Sequence, residues 1–247
     1  MASNGGLNLP ITDNSADDLE PVLSPSGTRI AFVSERGARH HGRIFVMRRN
    51  GSHQHPITKL TTYDEFPAFS PTGRKIVFDR RLGGGNREIV RIDSDGTHQR
   101  RLTRNPAADY YPRYSPNRRR IVFTSDRDGD QEIFTMRPTG TDVRQLTHNA
   151  ADDSHASYAA GGRHIVFRSD RDGDGEIFKM RASGTHKRQL THNAADDSGP
   201  VFSPHGKRIA FVSQFFDIWS MRADGSHKRQ LTRFSTGAEH PFWGMFH

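Results

Sequence analysis

Short apolar runs, each bounded by turn-forming residues, recur along the chain. Five of them share one pattern: Arg29-Ile-Ala-Phe-Val-Ser34, Lys75-Ile-Val-Phe-Asp79, Arg120-Ile-Val-Phe-Thr-Ser125, His164-Ile-Val-Phe-Arg-Ser169 and Arg208-Ile-Ala-Phe-Val-Ser213. The alternation of Ile and Phe has period two, which predicts β-strands rather than helices. Pro-x-Gly and Asp-Gly pairs flank these runs and supply the preset or positive φ that tight turns need. In the last complete unit the pattern predicts strand a over Pro200 to Ser203 and strand b over Arg208 to Ser213. Strand c follows over Asp217 to Arg222, and strand d over Lys228 to Thr232.

The units are repeats. Pro21, Pro67, Pro112, Ala156, Pro200 and Pro241 stand at equivalent places, 41 to 46 residues apart. Four short strands at that period build a propeller blade. Phe32, Phe78, Phe123, Phe167 and Phe211, with Ile30, Ile76, Ile121, Ile165 and Ile209, are then expected between blades. Met47, Met136, Met180 and Met221 on strand c read as gap-filling core side chains.

The segments FSPTGRKIVF, TSDRDGDQEIFTM and GTHKRQLT make the pattern specific, because they resemble the TolB-type, WD-like propeller repeat over roughly residues 9 to 243. The resemblance implies an all-β, TolB-like β-propeller of five complete four-stranded blades, as one domain over residues 1–247 behind a flexible stretch at 1–6. Residues Leu9 to Asp18 align without gaps on Arg188 to Asp197, and Ala238 to His247 resembles another strand a. An incomplete sixth blade formed by the termini is therefore expected, closed by the chain itself or in trans by a partner strand, since an unpaired edge is a template for pairing. Proteins with this repeat include periplasmic scaffolds, regulatory domains of serine peptidases and metal-dependent lyases, so the resemblance names a fold and leaves the activity open.

Candidate chemistry lies where the repeats stop agreeing. The residues just before each repeated proline are Leu19 and Glu20, Glu65 and Phe66, Tyr110 and Tyr111, Ser154 and His155, Ser198 and Gly199, Glu239 and His240. In a propeller they enter the innermost strand and ring the channel mouth. Glu20, Glu65, Tyr111, His155 and His240 are the candidates for acid-base chemistry, a carboxylate acting as base with a histidine as its partner or as acid. Phe66, Tyr110, Ser154, Ser198 and Glu239 are candidates for ligand binding. His155 stands where other complete repeats keep their residue before proline but is followed by Ala156, so blade four departs most at the mouth. Trp243 is expected in the core, and Phe215 and Phe216 pack in a shortened hairpin.

A second constellation is Asp126, Asp128 and Asp130, repeated as Asp170, Asp172 and Asp174, in the hairpins between strands b and c. Alternating carboxylates around glycine resemble calcium loops, although calcium takes six to eight oxygen ligands and the loop here is short. The competing reading is hairpin chemistry alone, with Glu132 and Glu176 opposing arginines across the strand pair. No other cofactor is expected, and calcium is the one ion with a candidate site. His53, His98, His186 and His227 follow Gly-Ser or Gly-Thr in the turns between strands c and d, and read as exposed turn residues.

Composition narrows the classes. Lys and Arg outnumber Asp and Glu by 36 to 28, a net charge of +8, but the excess is spread along the chain and a solvated basic surface explains it better than nucleic-acid binding. There is no cysteine, so disulfides and thiolate chemistry are excluded. No run approaches a membrane span, no signal-peptide pattern opens the chain, and the expectation is a soluble protein, cytoplasmic or processed for the periplasm or secretion. Nucleophile-elbow, zinc-helix and phosphate-loop motifs are absent. The sequence therefore points to a ligand- or protein-binding scaffold recognising a protein, peptide or polar small ligand at the channel mouth, as a monomer or an oligomer. The alternative is an enzyme of lyase, isomerase or cyclase type using the same mouth.

Overall fold

The computed structural model describes residues 10–37, 42–213 and 217–232. They form five antiparallel four-stranded sheets. Blade one comprises β1 (Asp18–Leu23), β2 (Arg29–Ser34), β3 (Arg43–Arg48) and β4 (His55–Pro56), and blade two β5 (Tyr63–Phe69), β6 (Lys75–Arg81), β7 (Arg87–Asp93) and β8 (Arg100–Arg101). Blade three has β9 (Asp109–Tyr114), β10 (Ile121–Ser125), β11 (Glu132–Met136) and β12 (Arg144–Gln145). Blade four has β13 (Asp153–Tyr158), β14 (His164–Ser169), β15 (Glu176–Arg181) and β16 (Arg188–Gln189), and blade five β17 (Ser198–Phe202), β18 (Arg208–Ser213), β19 (Asp217–Arg222) and β20 (Arg229–Gln230). Each sheet is a meander in sequence order, so the inner strand follows the previous blade's outer strand. Strand d is shorter than the pattern predicts, two residues in every blade. Short, charged edge strands limit edge-to-edge pairing.

Alternation explains how the blades stack. On β2 of blade one, Ala31 and Val33 face one way and join Ile76, Phe78, Val90 and Ile92 of blade two in one core cluster. In blades two to five the other parity of strand b faces the preceding blade, while Ile30 and Phe32 of blade one cluster with Phe45 and Met47 of their own blade; the five repeated phenylalanines are 0 to 2% exposed. Each such ring contributes roughly 1.5–3 kcal/mol by leaving water. The predicted interblade core is therefore observed, with the four repeated methionines buried as well.

A polar hub recurs beside this core. Asp109 and Asp153 are fully buried. Each is held by an arginine of its own b-to-c hairpin, Arg127 at 2.8 Å and Arg171 at 2.9 Å. Asn105 and Asn149 donate to the same carboxylates. The arginines lie over Phe134 and Phe178, 4.6 and 4.4 Å from the ring centroids. Opposite charge and hydrogen bonds offset the desolvation that a lone buried carboxylate suffers. Strand d is tied in by threonine: the amides of Ile44, Ile89, Ile133, Ile177 and Ile218 donate to Thr58, Thr103, Thr147, Thr191 and Thr232.

Candidate functional site

At each inner strand the ladder to strand b is interrupted by a bulge at the residue pair that includes the repeated proline or Ala156. Proline has no N–H to give the ladder, and a bulge is where a sheet tolerates it. The residue before it adopts a left-handed conformation in every blade: Glu20, Phe66, Tyr111 and His155 have φ of 52 to 54°, and Gly199 has 58°. Only Gly199 does so without a Cβ penalty. Four non-glycine residues held in this region signal a local demand, because each costs of order 1–3 kcal/mol. That demand turns their side chains toward the propeller axis.

There they meet. Phe66 and Tyr111 contact edge to face with ring centroids 4.4 Å apart, and Tyr111 stacks on His155 at 3.9 Å. Beneath lies a cavity of about 40 Å3 lined by Glu20, Phe66, Tyr111, Arg113, His155 and Gly199. It has room for a few waters and no more. Of each of the five predicted pairs among the described residues, then, the second member lines the axis. The first members sit on the ladder: Tyr110 opposite Thr124, Ser154 opposite Arg168 and Ser198 opposite Val212. Ser154 Oγ is 3.0 Å from His155 Nδ1.

The bulges also free backbone amides, and acids from the preceding blade accept them. Glu20 Oε2 accepts from the Phe66 amide at 2.5 Å, and Asp79 Oδ2 from the Tyr111 amide at 3.1 Å. Arg87 pairs with both Asp79, at 2.6 Å, and Glu65. Burial pushes the Glu20 carboxyl up to about 8, against the Phe66 amide and with help from the charges of Glu65 and Asp79. Asp79 is raised to about 7 by burial despite Arg87 and the Tyr111 amide, and burial lifts the Tyr111 hydroxyl to about 12. Among the described residues neither Glu20 nor Glu65 hydrogen-bonds His155; Glu65 is engaged by Arg87 and by Tyr63. Of the carboxylate and histidine pairings expected, those of Glu20 or Glu65 with His155 are not direct hydrogen bonds among the described residues, and those with His240 lie outside them. Glu239, His240 and Trp243, like Phe215 and Phe216, lie outside the described residues.

The aspartate hairpins divide their acids. Asp126 and Asp170 accept the amides of Ala108 and Asp152, bracing the loops that lead into the inner strands. Asp128 and Asp172 accept from the side chains of Gln145 and Gln189. Three carboxylates do approach within 4.8 Å in each blade, as Asp128, Asp130 and Glu132, and as Asp172, Asp174 and Glu176. The trio expected from the sequence is shifted by one member, because Asp126 and Asp170 turn to the neighbouring loop. Glu132 and Glu176 do not oppose arginines: they pair with Ser125 and Ser169 in the ladder and accept the amides of Asn149 and Asn193. The four turn histidines are exposed with φ of 51 to 57°, as turn residues should be.

Three residues escaped the sequence reading. Asp79 and Arg87 build the ion cluster, and Arg113 enters the channel itself. Signals existed for two of them. Asp79 stands where the other strands b carry Val33, Thr124, Arg168 and Val212. Arg113 stands where the other inner strands carry Val22, Ala68, Ser157 and Val201.

A family model described as the TolB β-propeller domain matches residues 106–245. A search of curated proteins finds no match. Among solved structures, a protein of Agrobacterium tumefaciens assigned as TolB is 23% identical with a TM-score of 0.79, covering 90% of this chain and 83% of that one. TolB of Acinetobacter baumannii is 23% identical at TM-score 0.76, over 88% of this chain and 55% of that chain. A chain of a nidogen/laminin complex is 14% identical at TM-score 0.72, over 87% of this chain and 79% of that one. At these identities the structural likenesses establish the fold. No helix is long and apolar enough to cross a membrane among the described residues.

Proposed function

The chain belongs to the TolB β-propeller domain family, and on that premise we propose that it is a protein-binding scaffold that receives its partner on the channel mouth. The observation that supports this reading is the convergence of Glu20, Phe66, Tyr111 and His155, four different side chains at one repeated left-handed position. The cavity under them holds only about 40 Å3, far below the roughly 300 Å3 and more of small-molecule sites. What they recognise must therefore rest on the mouth, and a stacked aromatic cluster with a polar rim is the composition of a protein interface centre. In the nidogen/laminin structure a similar propeller forms part of a protein complex, in keeping with this role.

The fold also bears on the sixth position of the ring. Among the described residues blade five makes no extensive packing with blade one, whereas every other neighbouring pair does. Ile11 lies against Gly51 as Ile57, Leu102, Leu146 and Leu190 lie against Gly96, Gly140, Gly184 and Gly225, so close that a Cβ would be blocked or crowded. Asn14 donates to Asp18 as Asn105 does to Asp109. Our reading is that the segment from Pro10 takes the outer-strand place of a sixth blade, an incomplete one shared by the termini.

The test is site-specific photocrosslinking in the native host, with a benzophenone amino acid at position 66 and, as control, at Arg144 on the outer rim. Position 66 should yield one discrete adduct that disappears in Tyr111→Ala and persists in Arg188→Ala. Equal adducts from both positions, or an adduct indifferent to Tyr111→Ala, would remove the mouth as the docking site.

A further inference from the structure

The channel does not end at the small cavity. Below it lies a second chamber of about 320 Å3, bounded by the inner strands and by the turns between strands a and b, including Ser24, Pro25, Pro116, Ser203 and Pro204. Arg113 lines both spaces. At its position on the inner strand the other blades place Val22, Ala68, Ser157 and Val201, which are all buried and small, so a single long side chain projects where the axis is otherwise bare.

Its charge is not ion-paired among the described residues. Among the described residues the Arg113 side chain makes no hydrogen bond and no ion pair, and no acidic residue lines the chamber. Desolvation lowers the pKa of Arg113 from its ordinary value, and the one opposing charge is Glu20, on the other side in the upper cavity. A guanidinium carries five donors in a planar fork that matches a carboxylate. Around it the wall is apolar and aromatic, with Leu23, Phe69, Tyr114, Tyr158 and Phe202 contributed by successive blades.

An independent feature points the same way. The five a-to-b turns, residues 24–29, 70–75, 115–120, 159–164 and 203–208, contain Lys and Arg but not one Asp or Glu. Arg74, Arg118, Arg119, Arg163 and Lys207 are exposed there and enter no ion pair among the described residues. The acids of the b-to-c hairpins lie at the opposite end of the blades, while at this end Asp93 and Asp142 of the c-to-d turns pair with Lys75 and Arg120 and leave the five exposed cations unanswered among the described residues. A cleft with a rim of one sign concentrates ligands of the other.

From the lone guanidinium, the apolar wall and the cationic rim, we propose that the lower chamber is a binding site for a small organic acid, its carboxylate on Arg113 and its apolar body against the aromatic wall. The volume falls in the range of small-ligand sites, unlike that of the upper cavity. This site is the chamber below the mouth, meeting the upper cavity at Arg113, and it does not depend on the protein-binding role.

Calorimetric titration of the full chain with phenylacetate, and with the uncharged phenylacetamide, tests the proposal. Phenylacetate should bind, more weakly as salt is added, and phenylacetamide at least about tenfold more weakly. Arg113→Met keeps the length of the side chain and should lose about tenfold or more in phenylacetate affinity. Arg113→Lys should fall between, since it keeps the charge without the fork, and it serves if the methionine variant fails to fold. Tyr111→Ala, at the mouth, should bind phenylacetate as the parent does, which separates this site from the docking surface. Absence of phenylacetate binding up to about 10 mM, equal binding of the amide, or unchanged affinity in Arg113→Met would each overturn the site and leave Arg113 as a solvated plug.

Discussion

The carboxyl of Glu20 should make the propeller less stable as the pH rises through neutrality. In the folded chain its pKa stands near 8 against an ordinary 4.5, because burial disfavours its charge. A pKa raised on folding means that the folded state binds the proton more tightly. The associated stability is therefore whole below pH 4.5 and is lost as the pH climbs toward 8. At about 1.4 kcal/mol per pH unit, ionising Glu20 in place at pH 8 costs up to ~4 kcal/mol, and water reaching the partly exposed mouth leaves about half of that. Glu20→Gln removes the titration while keeping an oxygen to accept the Phe66 amide. Urea denaturation of parent and variant at pH 5 and pH 8 should show the parent losing about 2 kcal/mol more than the variant between the two conditions, or a difference of roughly 4–8 °C in Tm. Asp79 titrates in both proteins and largely cancels. Parallel pH profiles would refute the reasoning, since Glu20 would then be no more buried than a surface glutamate.

Two further substitutions probe the elements that hold the mouth in place. Arg171→Met retains the stem over Phe178 but strips the buried Asp153 of its cation, and should cost about 3 kcal/mol; a loss below about 1 kcal/mol in denaturant melts would mean that Asn149 alone satisfies the carboxylate. Asp130, whose pKa is raised by burial and by the charge of Asp128, should be relieved by Asp130→Asn, giving a gain of a few tenths of a kcal/mol in chelator-containing buffer. If calcium instead raises the Tm of the parent and not of Asp130→Asn, the carboxylate trio holds an ion.

Blade architecture was legible because its determinants are local. Ile-x-Phe alternation, Pro-x-Gly turns and the repeat period need only neighbours in sequence, and they returned strand b within a residue in most blades. Strand d was overextended because past its two ladder residues only half of each backbone pair persists: the next amide, as in Leu146 and Leu190, still donates to strand c, but the strand-c amide that would answer turns to a threonine side chain. The mouth was legible as a place but not as a geometry. Which member of each pair faces the axis depends on a bulge at the repeated proline, and one residue of slip reverses the facing. The link from Asp79 to Tyr111 crosses between blades and spans 32 residues, so no pattern within one repeat could show it. The role of the hairpin acids was missed for a different reason: Asp126 and Asp170 stay within their own blades but reach the amides of Ala108 and Asp152, 18 residues away, a contact that no local turn pattern encodes.

One strand ties the two ends of the channel together. On β9, Tyr111 stands in the mouth cluster and Arg113, two residues on, lines both cavities. The bulge at Tyr111 and Pro112 breaks the plain alternation of the strand and leaves both side chains on the axial side, where they line the upper cavity together. Repeats of one sequence would pave the axis evenly; here the blades agree wherever they touch each other and differ where they face the channel. The agreeing positions are explained by packing alone, and the phenylalanines and buried aspartates show how. The differing positions are not: an unpaired arginine, a carboxyl raised to about 8 and aromatic side chains at positive φ all work against stability. Departures from a stabilising repeat that gather on one axis are what a recognition surface requires of its scaffold, because the ring fixes their places while the blades supply the stability they lack.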